Sequence, residues 1–180
     1  MKVVFLKGVN VGGHKTFQPS QVARQLVNYD VINVGAAGTF VVGQSITEAK
    51  LRTVLLRCLS FETEVMICPA HDVLRLAAED PFAGEACEPD IVRFVSVLAK
   101  GPRALPSLPL NLPTGDEWLV RLIAVRGRFA FGLYKRTMRT ISLLGQIEKR
   151  LGGSITTRNW NTFAKIIQVL KTKSEAFHDC

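Results

Sequence analysis

Strand-like and helix-like patterns alternate in a fixed order along this chain, and that order restricts the fold more than any other feature. Over the first 70 residues, short β-branched runs and apolar positions at helical spacing follow the order β-α-β-β-α-β. The predicted strands are 3–8, 31–34, 39–42 and 64–68, and the predicted helices follow Phe17 and a capping box at 45–48. This order is typical of a ferredoxin-like unit.

The second half repeats the order less cleanly. The predicted strands are 91–98, 118–125, 129–134 and 154–158, with one helix that ends at Gly152-Gly153 and a last helix capped by Asn161. Four prolines between residues 101 and 116 keep any helix there short. We therefore predict an α+β fold of tandem ferredoxin-like (β-α-β-β-α-β) subdomains with an added C-terminal helix. The expected organisation is a first subdomain at 1–70, a helical and acidic connector at 71–90, and a basic second subdomain with the C-terminal helix at 91–180.

Charge is distributed unevenly along the sequence. The net charge is +8, but residues 62–90 hold eight acidic residues and one basic residue, and residues 121–173 hold twelve basic residues and one acidic residue. This asymmetry indicates that the second half meets an anionic partner, either a small molecule or a nucleic acid. A solvated surface is the alternative.

Composition excludes several classes of protein. A chain with 47% hydrophobic and 21% charged residues is globular rather than disordered. No apolar run is long enough for a membrane span, and only four apolar residues separate Lys2 from Lys7, too few for a signal peptide. The four cysteines form no Cys-x-x-Cys pair, and the histidines are far apart. We expect a cytoplasmic protein with reduced thiols, no metal and no cofactor.

A glycine-rich segment lies between the first predicted strand and the first predicted helix. Its glycines allow tight turns, so that several amide N–H groups can converge on one point, and the flanking lysines add positive charge. The residues predicted to bind an anionic ligand here are Lys7, Gly8, Asn10, Gly12, Gly13, His14 and Lys15. The segment lacks the P-loop and dinucleotide signatures. A purely structural turn is the alternative.

A second polar cluster lies at the last predicted strand-to-helix junction. Arginine provides a planar fork for phosphate or carboxylate, and asparagine can hold a ligand or a backbone group. The predicted ligand-binding residues are Arg158, Asn159, Asn161 and Lys165. In the alternative interpretation, Asn161 caps the helix, Trp160 packs over the turn and Arg158 is solvated.

Three segments together give a resemblance to a known family. They are residues 5–13 (Phe-Leu-Lys-Gly-Val-Asn-Val-Gly-Gly), residues 80–82 (Asp-Pro-Phe), and residues 157–162 (Thr-Arg-Asn-Trp-Asn-Thr) with Lys165. In these segments the chain resembles the family catalogued as domain of unknown function 1697, a set of mostly bacterial proteins. The resemblance implies a two-part α+β fold and no established activity. This chain lacks the serine and asparagine of the family's Thr-Tyr-Ile-x-Ser-Gly-Asn segment at 33–39, and it has Lys7 where the family has arginine.

The leading functional hypothesis is a binding module for an anionic ligand: a phosphate-containing metabolite, a nucleotide or a nucleic acid. Phe129, Phe131 and Tyr134 offer aromatic strand residues on which RNA bases could stack, although Phe129 and Phe131 share a face that could also be core. A small-molecule enzyme that uses the 7–15 loop as its substrate cradle, with His14 as acid or base, is one alternative. A protein-interaction subunit is another.

Overall fold

The computed structural model describes residues 1–10, 16–85, 88–115 and 117–176. Within these residues the protein has a mixed α/β fold with two antiparallel sheets and five α-helices. The chain divides into two compact units, one formed by Met1–Glu79 with Ala164–Cys180 and the other by Asp80–Phe163. None of the described helices is both long enough and apolar enough to cross a membrane.

The first unit contains a four-stranded sheet. Its elements are β1 (Lys2–Leu6), α1 (Pro19–Gln25), a 3-10 helix (Val27–Tyr29), β2 (Val31–Asn33), β3 (Thr39–Val42), α2 (Glu48–Arg57), β4 (Val65–Pro69) and α3 (Ala70–Ala78). The strand order is β2-β3-β1-β4, and every neighbouring pair is antiparallel. The predicted order of strands and helices over residues 1–70 is therefore confirmed.

The core of the first unit lies between this sheet and the helices α1 and α2. Alternate residues of a strand point to the same face, so Val4 and Leu6 of β1 pack with Val22 of α1 and Leu51 of α2. Val3 and Phe5, on the opposite face of β1, are also buried. Both faces of the central strand are thus covered.

Helix α2 begins two residues later than a cap at Ser45 would place it. The N-cap is Thr47, whose Oγ1 accepts a hydrogen bond from Lys50 N at 3.3 Å. Ile46 is buried in the core, and a buried apolar residue just before the cap fixes the angle at which the chain enters a helix. The capping-box prediction is therefore wrong in register, because the burial of Ile46 decides where the helix starts.

The second unit contains a five-stranded sheet. Its elements are β5 (Ile91–Leu98), β6 (Leu110–Leu112), β7 (Val120–Arg126), β8 (Phe129–Lys135), α4 (Thr140–Leu151), β9 (Ile155–Asn159) and the first turn of α5 (Trp160–Ala176). The strand order is β6-β7-β8-β5-β9, again antiparallel throughout. Leu143, Ile147 and Leu151 of α4 pack on one face with Phe94 and Leu122.

The segment between β5 and β7 contains no helix in its described residues. It contributes the short edge strand β6, in which Leu110 pairs with Leu122 and Leu112 pairs with Val120. Prolines cannot donate backbone hydrogen bonds and are tolerated near sheet edges. The proline-rich sequence therefore replaces the first helix of the second half by extended chain, where a short helix was the most that the sequence allowed.

The division into units differs from the predicted one of 1–70, 71–90 and 91–180. Helix α3, predicted as part of a connector, belongs to the first unit, and so do the residues of α5 from Ala164 onwards. Lys173 of α5 forms an ion pair with Asp30 of the first unit. The boundary thus falls inside a continuous helix, where no break in the sequence pattern marks it.

Candidate functional site

Only the first part of the predicted glycine-rich site belongs to the described residues. Gly12, Gly13, His14 and Lys15 lie outside them. Gly8 has φ +62, and nothing lies within 4 Å of an added Cβ, so glycine is needed there for its backbone conformation rather than for space. Gly8 is consistent with the structural-turn interpretation, and its role in ligand binding stays a prediction.

Asn10 uses its side chain to hold the loop together. Its Oδ1 accepts a hydrogen bond from Phe17 N at 2.9 Å, and its Nδ2 donates to Phe17 O at 3.1 Å and to Ala36 O at 2.7 Å. The residue has φ +54, a left-handed conformation that asparagine tolerates better than most residues. Both polar side-chain atoms therefore already bond the protein, which gives Asn10 a structural role, and its role in ligand binding stays a prediction.

Lys7 is also engaged with the protein. Its N–H donates to Glu64 O at 3.0 Å, its carbonyl accepts from Thr63 Oγ1 at 2.6 Å, and its Nζ lies 3.8 Å from Glu64 Oε2. The amide therefore does not serve as an anion donor, and a carboxylate lies beside the ammonium group. Both facts weaken the predicted anion seat at the start of this loop.

Arg158 is buried in the second sheet rather than solvated. Only 7% of the residue is exposed, and Nη1 donates to Thr156 Oγ1 at 2.8 Å and to Thr157 O at 2.9 Å. Burial lowers its pKa to about 10, which leaves the guanidinium charged at neutral pH. The side chain bonds its own strand, which gives Arg158 a structural role, and its predicted role in ligand binding stays a prediction.

Asn159, and not Asn161, caps the last helix. Asn159 Oδ1 accepts from Thr162 N at 2.9 Å and from Thr162 Oγ1 at 2.8 Å, one turn into α5. The predicted cap at Asn161 is wrong because β9 runs directly into α5 at Trp160, which makes the last strand residue the cap. Asn161 is exposed in the first turn.

A cavity of about 230 Å³ opens beside this helix start. We call it the Arg93/Arg136 cavity, and its described lining residues are Ile91, Val92, Arg93, Arg136, Asn159, Trp160 and Asn161. The sheet register assembles it, because Ile91 pairs with Lys135, next to Arg136, and Phe94 pairs with Asn159. Two predicted residues, Asn159 and Asn161, thus line it. Lys165, exposed further along α5, is not among its described lining residues.

Sequence reasoning missed both arginines of this cavity: Arg136 is exposed, and Arg93 is half-buried. Its Nη2 donates to Glu85 O at 3.2 Å, and its guanidinium lies 5.4 Å from the centroid of the Phe82 ring. Its Nε is buried and has no hydrogen-bond partner among the described residues. The signal in the sequence was a charged residue inside the apolar run 91–98 of a central strand. Burying an arginine there is unfavourable unless its charge and its donors have partners.

The middle and last family-like segments meet through aromatic packing. The ring centroids of Phe82 and Trp160 are 5.1 Å apart at an interplanar angle of 68°. Asp80 Oδ1 accepts a hydrogen bond from Phe82 N at 3.4 Å, so the Asp-Pro-Phe segment forms a turn. Phe82, at the end of this turn, is buried in the core. Phe82 therefore supports both Trp160 and Arg93 at the cavity wall.

The aromatic strand residues do not form a platform for RNA bases. Phe129 is 4% exposed and Phe131 is fully buried, while Tyr134 packs beside Phe94 with ring centroids 6.0 Å apart. Phe129 and Phe131 share a face that is core, as the alternative interpretation held, and Tyr134 packs against the core on the other face of the strand. In the described residues no group of three or more His, Cys, Asp or Glu side chains could hold a metal ion.

Comparison with known proteins shows a shared fold and gives no information about activity. No protein-family model matches the chain, and a search of curated proteins found no match. Among solved structures, the chain is similar to the conserved bacterial protein SP0830 from Streptococcus pneumoniae, with a TM-score of 0.54 and 18% identity over 94% of this chain and 97% of that one. At that identity the likeness shows that the two chains share a fold across nearly their whole lengths.

Proposed function

We propose that this protein is a binding module for a small anionic ligand, a phosphate- or carboxylate-bearing metabolite, held in the Arg93/Arg136 cavity. The observation that carries the proposal is the convergence of two arginines and the start of a long helix on one concave site. The sequence predicts ligand-binding residues both in the 7–15 loop and around the start of α5. We propose the second place because Lys7 and Asn10 of the loop already bond the protein.

The chemistry of the cavity suits an anion. Arginine presents a fixed fork of donors that matches carboxylate and phosphate oxygens. The first amides of a helix lack intrahelical partners and carry the positive end of the helix dipole. In α5 the Thr162 amide is satisfied by Asn159, and the first two residues of the helix, Trp160 and Asn161, line the cavity.

Size and lining limit the ligand further. A volume of about 230 Å³ is below the roughly 300–1,000 Å³ of typical drug-sized ligand sites, so the ligand is a small metabolite rather than a dinucleotide. The described lining residues include no cysteine, serine, histidine or carboxylate, and those are the usual nucleophiles and bases. This composition favours binding over catalysis.

We also propose that the two units are tandem ferredoxin-like domains of the domain of unknown function 1697 type, in a cytoplasmic protein. The strand order β2-β3-β1-β4 of the first unit recurs as β7-β8-β5-β9 in the second, with β6 added at the edge. In both, the third strand is followed by a helix and then the fourth strand. The repeated order supports the ferredoxin-like assignment, and the contact between Phe82 and Trp160 gives two family-like segments a shared role.

Thermal shift and titration calorimetry with inorganic phosphate, a sugar phosphate and a dicarboxylate test the binding proposal. Arg136 is exposed, so Arg136→Ala should leave the fold intact and weaken binding of the best probe by about tenfold or more, the range for a hydrogen bond to a charged group. Arg93→Lys keeps the charge but loses the fork, and it should also weaken binding.

Arg57→Ala is the matched control, because Arg57 is an exposed arginine on α2 in the other unit. It should bind the probe as the parent protein does. If Arg57→Ala and Arg136→Ala weaken binding equally, or if no probe raises the melting temperature, the cavity is not an anion site.

A further inference from the structure

Six basic side chains gather at the end of the second sheet opposite the Arg93/Arg136 cavity. They come from three segments: the loop after β5, the turn between β7 and β8, and the last turn of α4. We call this surface the basic end, and its residues are Lys100, Arg103, Arg126, Arg128, Lys149 and Arg150. Because β5 rises about 3.3 Å per residue, Leu98 lies roughly 23 Å from Ile91 at the cavity. The basic end is therefore a separate site.

Backbone hydrogen bonds bring the three segments together. Leu98 N donates to Arg128 O at 2.8 Å, which joins the end of β5 to the β7–β8 turn. Arg103 N donates to Leu151 O at 2.9 Å, which ties the loop to the end of α4. The cluster is thus fixed by the fold rather than by a chance approach of long side chains.

The cluster is strongly positive. Segments 99–103, 126–128 and 148–152 contain six basic residues and one acidic residue, Glu148, so their net charge is six minus one, or +5. Lys100, Arg103, Lys149 and Arg150 are exposed.

The remaining two arginines are oriented by the fold. Arg128 Nε donates to Leu98 O at 2.9 Å, and the Arg126 guanidinium lies 5.9 Å from the Phe131 ring centroid. The carbonyl groups of Glu148 and Leu151 at the negative end of α4 already accept backbone hydrogen bonds from Gly152 and Arg103. The C-terminal end of α4 therefore repels an anion less than a helix end whose carbonyl groups have no hydrogen-bond partners.

We infer that the basic end binds the phosphate backbone of double-stranded nucleic acid, independently of the small-anion site. Cations on segments that backbone hydrogen bonds hold together can contact the regularly spaced phosphates of a duplex, and such contacts read no sequence. The three segments contain no aromatic residue, whereas proteins that bind single strands use aromatic side chains to stack the bases. No large apolar side chain is exposed within residues 99–103, 126–128 and 148–152, and Leu105, two residues further along the loop after β5, is the nearest one in sequence to this cluster. The vesicle arm of the test below addresses a membrane surface, to which exposed apolar side chains bind.

The charge sets the expected salt dependence. If up to five phosphates are neutralised, the logarithm of the binding constant falls with the logarithm of salt concentration with a slope of up to about −4.5. Affinity then drops by up to about 500-fold between roughly 50 and 200 mM salt. Each lysine or arginine removed should reduce the slope by about 0.9.

Fluorescence polarisation with a labelled duplex of about 20 base pairs tests the inference. The variant combines Lys100→Ala, Lys149→Ala and Arg150→Ala, all at exposed positions. The control combines Arg24→Ala, Lys50→Ala and Arg57→Ala, which removes the same charge from exposed helix positions of the first unit. We expect the first triple variant to flatten the salt slope by about 2.7 and the control to retain the parent slope.

Two further arms decide between partners. A single strand of the same sequence should bind more weakly than the duplex, and vesicles with anionic lipid should not compete for the protein. The inference is overturned by any of four results: no duplex binding at about 50 mM salt, equal loss in both triple variants, tighter binding of the single strand, or displacement of the duplex by the vesicles. Circular dichroism melts establish that both triple variants are folded.

Discussion

Replacing Asn10 tests whether its side chain closes the loop between β1 and α1. The side chain makes three hydrogen bonds, two with the backbone of Phe17 and one with that of Ala36. Each is worth about 0.5–1.5 kcal/mol net, so Asn10→Ala should lower the free energy of unfolding by about 2–4 kcal/mol. An alanine at φ +54 adds a penalty on the order of 1 kcal/mol for the left-handed conformation.

Asn10→Gly separates the two contributions. Glycine loses the same hydrogen bonds but adopts positive φ without steric cost, so it should be less damaging than alanine by up to about 1 kcal/mol. Urea denaturation followed by far-UV circular dichroism is the appropriate assay, because Trp118 and Trp160, the chain's two tryptophans, both lie in the second unit. Suppose instead that Asn10→Ala left stability unchanged within about 0.5 kcal/mol and abolished anion binding. The loop-closing role would then be wrong, and the sequence-based ligand role would be right.

The remaining predictions concern packing and thiol chemistry. A Cβ at Gly132 would lie 2.5 Å from both Arg121 O and Phe94 Cζ, so Gly132→Ala should destabilise by about 1–3 kcal/mol. Gly145 lies on α4, and no atom lies within 4 Å of an added Cβ there. Gly145→Ala should therefore stabilise the protein by about 0.5–1 kcal/mol in the same urea denaturation assay. Burial raises the pKa of the Cys58 thiol above 9.0, so labelling by a thiol reagent at about pH 8 should be slower than for an exposed thiol, with Cys58→Ala identifying the site. Because the unfolded chain loses this proton first, the stability that Cys58 contributes should fall as pH rises above 9.0.

The local elements of the fold were predictable, and their termini were less so. The predicted order of strands and helices in the first half is the observed one, because hydrophobic period is a property of neighbouring residues. The start of α2 and the cap of α5 were misplaced because burial of Ile46 and the direct passage of β9 into α5 select among several possible capping residues. The proline-rich segment was recognised as a poor helix, but nothing in its sequence showed that Leu110 would pair with Leu122.

The candidate site was predictable only in part. Asn159 and Asn161 were singled out and do line the Arg93/Arg136 cavity. Arg158, which looked like an exposed phosphate fork, is buried because its place in β9 directs the side chain into the sheet packing. Arg93 was overlooked because a single arginine in an apolar strand carries no motif.

By itself, the sequence determined the type and order of the secondary structure and the concentration of positive charge in the second half. Both follow from residues close together in the chain. Only the tertiary structure decided which of these charged residues lie together. Antiparallel pairing brings the start of β5 beside the ends of β8 and β9, and it brings the end of β5 beside the β7–β8 turn. One sheet therefore carries the Arg93/Arg136 cavity at one end and the basic end at the other, a separation that depends on strand register and that no local pattern encodes.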